Sequence, residues 1–126
     1  MSIVDSDWPT NLREALRRAA VDNPERGIAI FDGRGRAADR RGYSELYETA
    51  TSSAARLSAL GVEAGRPVLV ALPTSWEWME AWFGLLMLGA LPVASSGAGA
   101  MAASGAQFDK VDKVMAKIGA QAVFAT

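Results

Sequence analysis

Neither cysteine nor histidine occurs anywhere in the 126-residue sequence. Their absence excludes Ser-His-Asp and Cys-His nucleophilic catalysis, thiolate chemistry, disulfides and any zinc site built from imidazole or thiolate. Carboxylates are what remains for acid–base work or metal binding. A surplus of one charge sign is missing too. Thirteen basic and 14 acidic residues leave a formal net charge of −1, so no global field selects nucleic acid or acidic lipid. The opening MSIVDSDWPTN carries two aspartates and no basic segment, the wrong pattern for a secretory signal or transit peptide. With no cysteine and no such signal, the expected compartment is the cytoplasm.

A membrane span is the next exclusion. Ala81–Phe108 is 28 residues without a charge, whereas a spanning helix needs about 20 predominantly apolar residues. Only its first part, AWFGLLMLGALPV, is strongly apolar, and Gly89 and Pro92 interrupt the run. The continuation ASSGAGAMAASGAQ consists almost wholly of small residues. A buried helix, a short strand and a small-residue loop over 95–107 account for the stretch better.

Apolar residues make up 50 % of the chain, and 24 of those 63 are alanine. The remaining 39 suffice for one packed core, because a domain of this size buries roughly two-thirds of its unfolded surface. Leu12, Ala15, Leu16, Ala19 and Ala20 share one helical face, which predicts a helix over Asn11–Val21. Asn11 is its N-cap, Glu14 completes a capping box, and Asp22-Asn23-Pro24 stops it. GIAIF, DGRG and RAADRRGY read as a hairpin whose Asp32-Gly33 supplies the positive φ of the turn. Arg34, Arg36, Arg40 and Arg41 cluster there. An anion or RNA patch is one reading, and a solvated edge whose charge discourages strand addition is the plainer one. A second helix over Ser44–Leu60 takes Ser44 as N-cap and Gly61 as its left-handed terminator.

From Val68 the pattern changes. Val68–Leu72 is a continuous apolar run, as in a strand covered on both faces. Thr74 or Ser75 caps a helix over Trp76–Leu88, ten of whose 13 residues are apolar, so burial nearly all round is expected. Trp76, Met79, Phe83 and Leu86 form one apolar face, and Trp78, Trp82 and Leu85 another. A strand over Leu91–Ala94, a helix lined by Phe108, Val111, Val114, Met115 and Ile118, and a strand over Ala122–Thr126 follow. The order strand, helix, strand, helix, strand predicts an α/β class with a parallel βαβαβ sheet and covering helices, preceded by a helix and a hairpin.

Motifs with chemistry are few. Gly97–Ala102 matches G-x-G-x-x-A, the dinucleotide fingerprint. Pro92 shortens the strand before it and Gly105 falls inside the helix it requires, so a plain connector fits better. No G-x-x-x-x-G-K-[ST] phosphate loop occurs. Glu77/Glu80 and Asp109/Asp112 sit at i, i+3, where first-turn dipole acids explain them more simply than a divalent ion. No catalytic residue, cofactor site or metal site is assigned. The three residues after the Leu91–Ala94 strand, Ser95, Ser96 and Gly97, are the candidate ligand-facing loop, since ligands of open α/β sheets lie beyond the carboxyl ends of strands.

Tyr43-Ser44-Glu45-Leu46 and the continuation ATSSAARLSALGVEAGRPVLVALPTSWEWMEAWFGLLMLGALPV resemble the N-terminal portion of adenylate-forming enzymes, the acyl-CoA synthetases and fatty-acyl-AMP ligases. Those enzymes read T-Y-x-E-L, then L-G-V-x-x-G-D, L-P-N-S-x-E and G-A-x-x-V-P. Arg66 stands where the family favours Asp, and Thr74 where it favours Asn. KVMAKIGAQAVFAT is similar to the family's next helix and strand, while Ala94–Gln107 departs from the usual prolines and polar residues. The resemblance implies a partial N-terminal subdomain spanning 1–126. The parent ligase would activate a carboxylic acid, a fatty acid first, with ATP and Mg²⁺. It would then pass the acyl group to CoA or phosphopantetheine. The family's phosphate loop, adenine pocket, ribose-binding aspartate and catalytic lysine match no position here, so the chain alone is expected to be inactive and to bind none of these cofactors. Its expected partners are the remainder of the ligase and, through an exposed Trp78/Trp82/Leu85 face, a second copy of itself. The rival readings are a stand-alone α/β binding module and, third, a dinucleotide-binding domain.

Overall fold

The computed structural model describes residues 7–95, Lys113, Lys117 and Gly119, and the backbone of 122–125. Its elements are α1 (Leu12–Asp22), β1 (Gly27–Phe31), β2 (Ala37–Gly42), α2 (Tyr43–Ala59), β3 (Pro67–Ala71), α3 (Trp76–Leu88), β4 (Leu91–Ala94) and β5 (Ala122–Ala125). They fall into two compact units, Met1–Glu48 and Thr49–Thr126, with the boundary inside α2.

In the first unit α1 begins as its sequence dictates: Asn11 Oδ1 accepts the Glu14 N–H at 2.8 Å. The capping box closes only on that side. The Glu14 carboxylate accepts from Arg17 at 2.7 and 2.9 Å and from Arg18 at 3.1 Å instead of reaching back to the cap. Two guanidinium donors one turn ahead give charge-assisted bonds, which outcompete a neutral backbone amide. The Arg17 hydrogen bond, then that of Arg18, holds the Glu14 carboxyl down at about 2. Arg18 also donates to the Asp7 carbonyl. Leu16 is the buried residue of α1, and Leu12 is exposed.

β1 and β2 pair antiparallel, with Gly27 opposite Gly42, Ile28 opposite Arg41, and a register irregularity at Ile30/Phe31. The turn differs from expectation in one respect: the positive φ belongs to Gly35 (78°), not to Gly33. Gly35 N–H donates to Asp32 O at 3.1 Å and Asp32 N–H to Arg36 O at 2.8 Å. This closes a three-residue loop whose last position is left-handed. The Asp32 carboxylate accepts the Arg34 and Arg36 amides at 2.8 and 3.0 Å, so Asp32 is the turn's organiser while Gly33 needs no special conformation.

α2 starts one residue early, at Tyr43, without a Ser44 cap. The Tyr43 and Ser44 amides donate to Arg26 O (2.6 Å) and Pro24 O (3.4 Å). Carbonyls from the α1–β1 connection thereby satisfy the first two amides of the helix.

The second unit is a parallel sheet of order β4-β3-β5 among the described residues. β3 is central: Val68 pairs with Pro92 on one side and Ala122 on the other. Four consecutive residues, Val68–Ala71, are buried, which requires cover on both faces because side chains alternate along a strand. Leu57, Val68, Val70, Leu72, Ala81, Leu85 and Ala90 form the core on one face. The α2 end is held as predicted: Gly61 adopts φ 96° and Val62 N–H returns to Leu57 O at 3.1 Å. Of the predicted fourth helix, Lys113 and Lys117 are helical and exposed; its apolar positions lie outside the described residues.

α3 corrects one expectation. Its buried residues are Trp76, Ala81, Gly84 and Leu85, and every other position of the helix except Glu77 is half-buried. Leu85 is fully buried, so it does not join Trp78 and Trp82 on an exposed face. Those two tryptophans stack on each other, centroids 4.9 Å apart and 12° from parallel, and pack half-buried on the edge of the core.

Candidate functional site

The second unit has one end where chemistry is expected. β3, β4 and β5 run parallel, so all their carboxyl ends lie along one edge. β3 connects through α3 to β4 on one side, and the chain then crosses to β5 on the other. Under the right-handed crossover rule, connections that leave towards opposite neighbours run over opposite faces of a parallel sheet. A crevice forms where neighbouring strands send their connections to opposite faces. For the order β4-β3-β5 the rule assigns that point to the carboxyl ends of β3 and β4.

Two short segments border it. After β3 come buried Leu72, exposed Pro73 and Thr74, and half-buried Ser75. Pro73 cannot extend the ladder and so ends the strand. Ser75 is the N-cap of α3: its Oγ accepts the Trp78 amide at 3.2 Å and donates to Pro73 O at 2.9 Å. That hydroxyl is committed to holding the loop, which leaves Thr74 as the exposed hydroxyl of the segment. After β4, Ser95 N–H donates to Val70 O at 3.0 Å. This bond continues the ladder one residue past the strand and sets half-buried Ser95 beside the end of β3. Ser95 therefore lies one residue past β4, beside the carboxyl end of β3. Ser96 and Gly97 lie outside the described residues, as do the Gly97–Ala102 fingerprint match and the Asp109/Asp112 pair.

The remaining sequence candidates do not assemble with it. Glu77 is exposed on the first turn of α3, and among the described residues no three acidic side chains gather to hold a metal ion. The hairpin arginines belong to the first unit. Arg36 pairs with Asp32 at 3.5 Å and Arg41 with Asp39 at 3.7 Å, while Arg34 and Arg40 are exposed, as a solvated strand edge requires.

Sequence reasoning missed Gly84. A Cβ there would lie 2.6 Å from Ser53 Oγ and 2.8 Å from Ser53 Cβ, so α2 and α3 touch at a point with room only for hydrogen. Ser53 is itself buried. The available signal was a glycine in the middle of an apolar helix, which costs about 1 kcal/mol against alanine unless packing demands it. This contact seats α3, and with it the β3–α3 loop, over the sheet.

Comparison with known proteins points to one family. A family model described as AMP-binding enzyme matches residues 16–125. The salicyl-AMP ligase / salicyl-S-ArCP synthetase of Mycobacterium tuberculosis is 39 % identical over 89 residues, covering 67 % of this chain and 14 % of that protein. Among solved structures, one from a study of fatty acyl-adenylate ligases of E. coli and L. pneumophila matches with a TM-score of 0.72 and 28 % identity, over 93 % of this chain and 20 % of that one. The N-terminal subdomain of Klebsiella oxytoca NpsA, in complex with 3-hydroxyanthranilyl-AMSN, shares the fold with a TM-score of 0.74 at 21 % identity, over 91 % of this chain and 26 % of that one. The chain thus spans between about one-seventh and one-quarter of the length of these relatives.

Proposed function

This chain belongs to the AMP-binding enzyme family, and from that membership we propose that it is the N-terminal part of a ligase that forms acyl-adenylates. The observation that carries the reading is the match over residues 16–125 by a family whose members here are several times longer. The parent would join a carboxylate to the α-phosphate of ATP with Mg²⁺, releasing pyrophosphate, and then transfer the acyl group from the adenylate to the thiol of CoA or phosphopantetheine, releasing AMP. The nucleotide and metal would be held by residues outside this chain, and the two units described here are parts of one subdomain of the parent. The chain alone is inactive, and its compartment is the cytoplasm. Among the described residues no helix is long and apolar enough to cross a membrane.

Within the parent, Ser95, Ser96 and Gly97 border the ligand crevice. The strand order and the Ser95–Val70 bond support this place. A fatty acid is the first substrate class, supported by the 28 % identical fatty acyl-adenylate ligase structure. An aromatic acid is the second, favoured by the 39 % identity to the salicyl-AMP ligase.

ATP–pyrophosphate exchange with a panel containing medium-chain fatty acids and salicylate tests the reading. The expected result is acid-dependent exchange by a protein continuing this sequence at its C-terminus and none by residues 1–126. Exchange by the 126-residue chain would refute its inactivity. No exchange by the longer protein with any acid would refute the ligase assignment. Preference for salicylate over the fatty acids would decide for the aromatic class. Self-association through the half-buried Trp78/Trp82 face is checked by light scattering coupled to size exclusion. A strict monomer at high micromolar concentration would rule it out.

A further inference from the structure

We draw no further inference here: the strongest candidate, the arginine-bearing surface of the β1–β2 hairpin, carries nothing because Asp32 and Asp39 already pair with two of its four arginines and nothing in the structure shows what partner would cover the others.

Discussion

The two units differ in the balance of exposed local bonds and buried apolar side chains. In Met1–Glu48 side-chain hydrogen bonds join residues close in sequence, Asn11 to Glu14, Glu14 to Arg17 and Arg18, Asp32 to Arg34 and Arg36, and among the described residues only two large apolar side chains, Leu16 and Leu46, are buried. β2 is exposed over Ala37–Arg40. In Thr49–Thr126 the organising residues are apolar and distant in sequence, with Val68, Val70 and Leu85 fully buried together. Local bonds exposed to water contribute little each, whereas burying a large side chain contributes about 1.5–3 kcal/mol. Substitutions in the second unit should therefore report on global stability. Substitutions in the first should report mainly on its own elements.

The largest expected effect is at Leu85. Leu85→Ala removes a fully buried side chain from the core and should lower the unfolding free energy by about 2–5 kcal/mol. Urea denaturation followed by tryptophan fluorescence measures it. A loss below 1 kcal/mol would mean that this core does not carry the unit.

Next comes the α2–α3 contact. Gly84→Ala places a methyl group 2.6 Å from Ser53 Oγ. Overpacking of this kind costs about 1–3 kcal/mol, partly offset by about 1 kcal/mol of helix propensity. Ser53→Gly in the same background removes both crowded atoms, so the double variant should recover part of the loss. Additive losses in the cycle would show that the helices do not meet there.

The turn and cap positions rank third. Gly35→Ala forces a Cβ into φ 78°, at about 1–2 kcal/mol, while Gly33→Ala at the same hairpin should be milder. Equal effects would return the positive φ to the position expected from sequence. Ser75→Ala removes the α3 cap and should cost about 1 kcal/mol. Both are read from thermal unfolding.

The smallest effect is the pH dependence of α1. The carboxyl of Glu14 is lowered from 4.5 to about 2 by Arg17 and Arg18. A depressed carboxylate contributes stability above its unfolded value and loses it as pH falls through the folded value. The contribution of Glu14 should thus be intact above about 4.5 and vanish toward 2. Because the group is exposed, it should appear as a change in the Glu14 side-chain titration by NMR rather than as a shift in the unfolding midpoint. A midpoint for Glu14 near 4.5 would remove the paired-arginine account.

Much of this was legible in the residues. The α1 cap, the Ser75 cap, the Gly61 terminator and the buried run of β3 are local or periodic signals, and the structure places each within a residue of expectation. That Ser95 follows the carboxyl end of a strand was legible too, whereas its seat beside Val70 comes from the strand order of the structure. Three features were not legible. The sharing of Glu14 depends on which donors win among neighbours of similar reach. The cap of α2 comes from carbonyls at Pro24 and Arg26, about twenty residues away. Which positions of α3 are buried rather than half-buried depends on which helix lies against it.

By itself, then, the sequence determined the element order, the parallel α/β class of the second unit and the family, because strand and helix periods, caps and breakers act over a few residues. Tertiary structure alone decided which side of each element is covered. Ten of the 13 residues of α3 are apolar, so composition offers no preferred face. The close approach of Ser53 to Gly84 chooses one, burying Leu85 and leaving Trp78 and Trp82 stacked at the edge of the core.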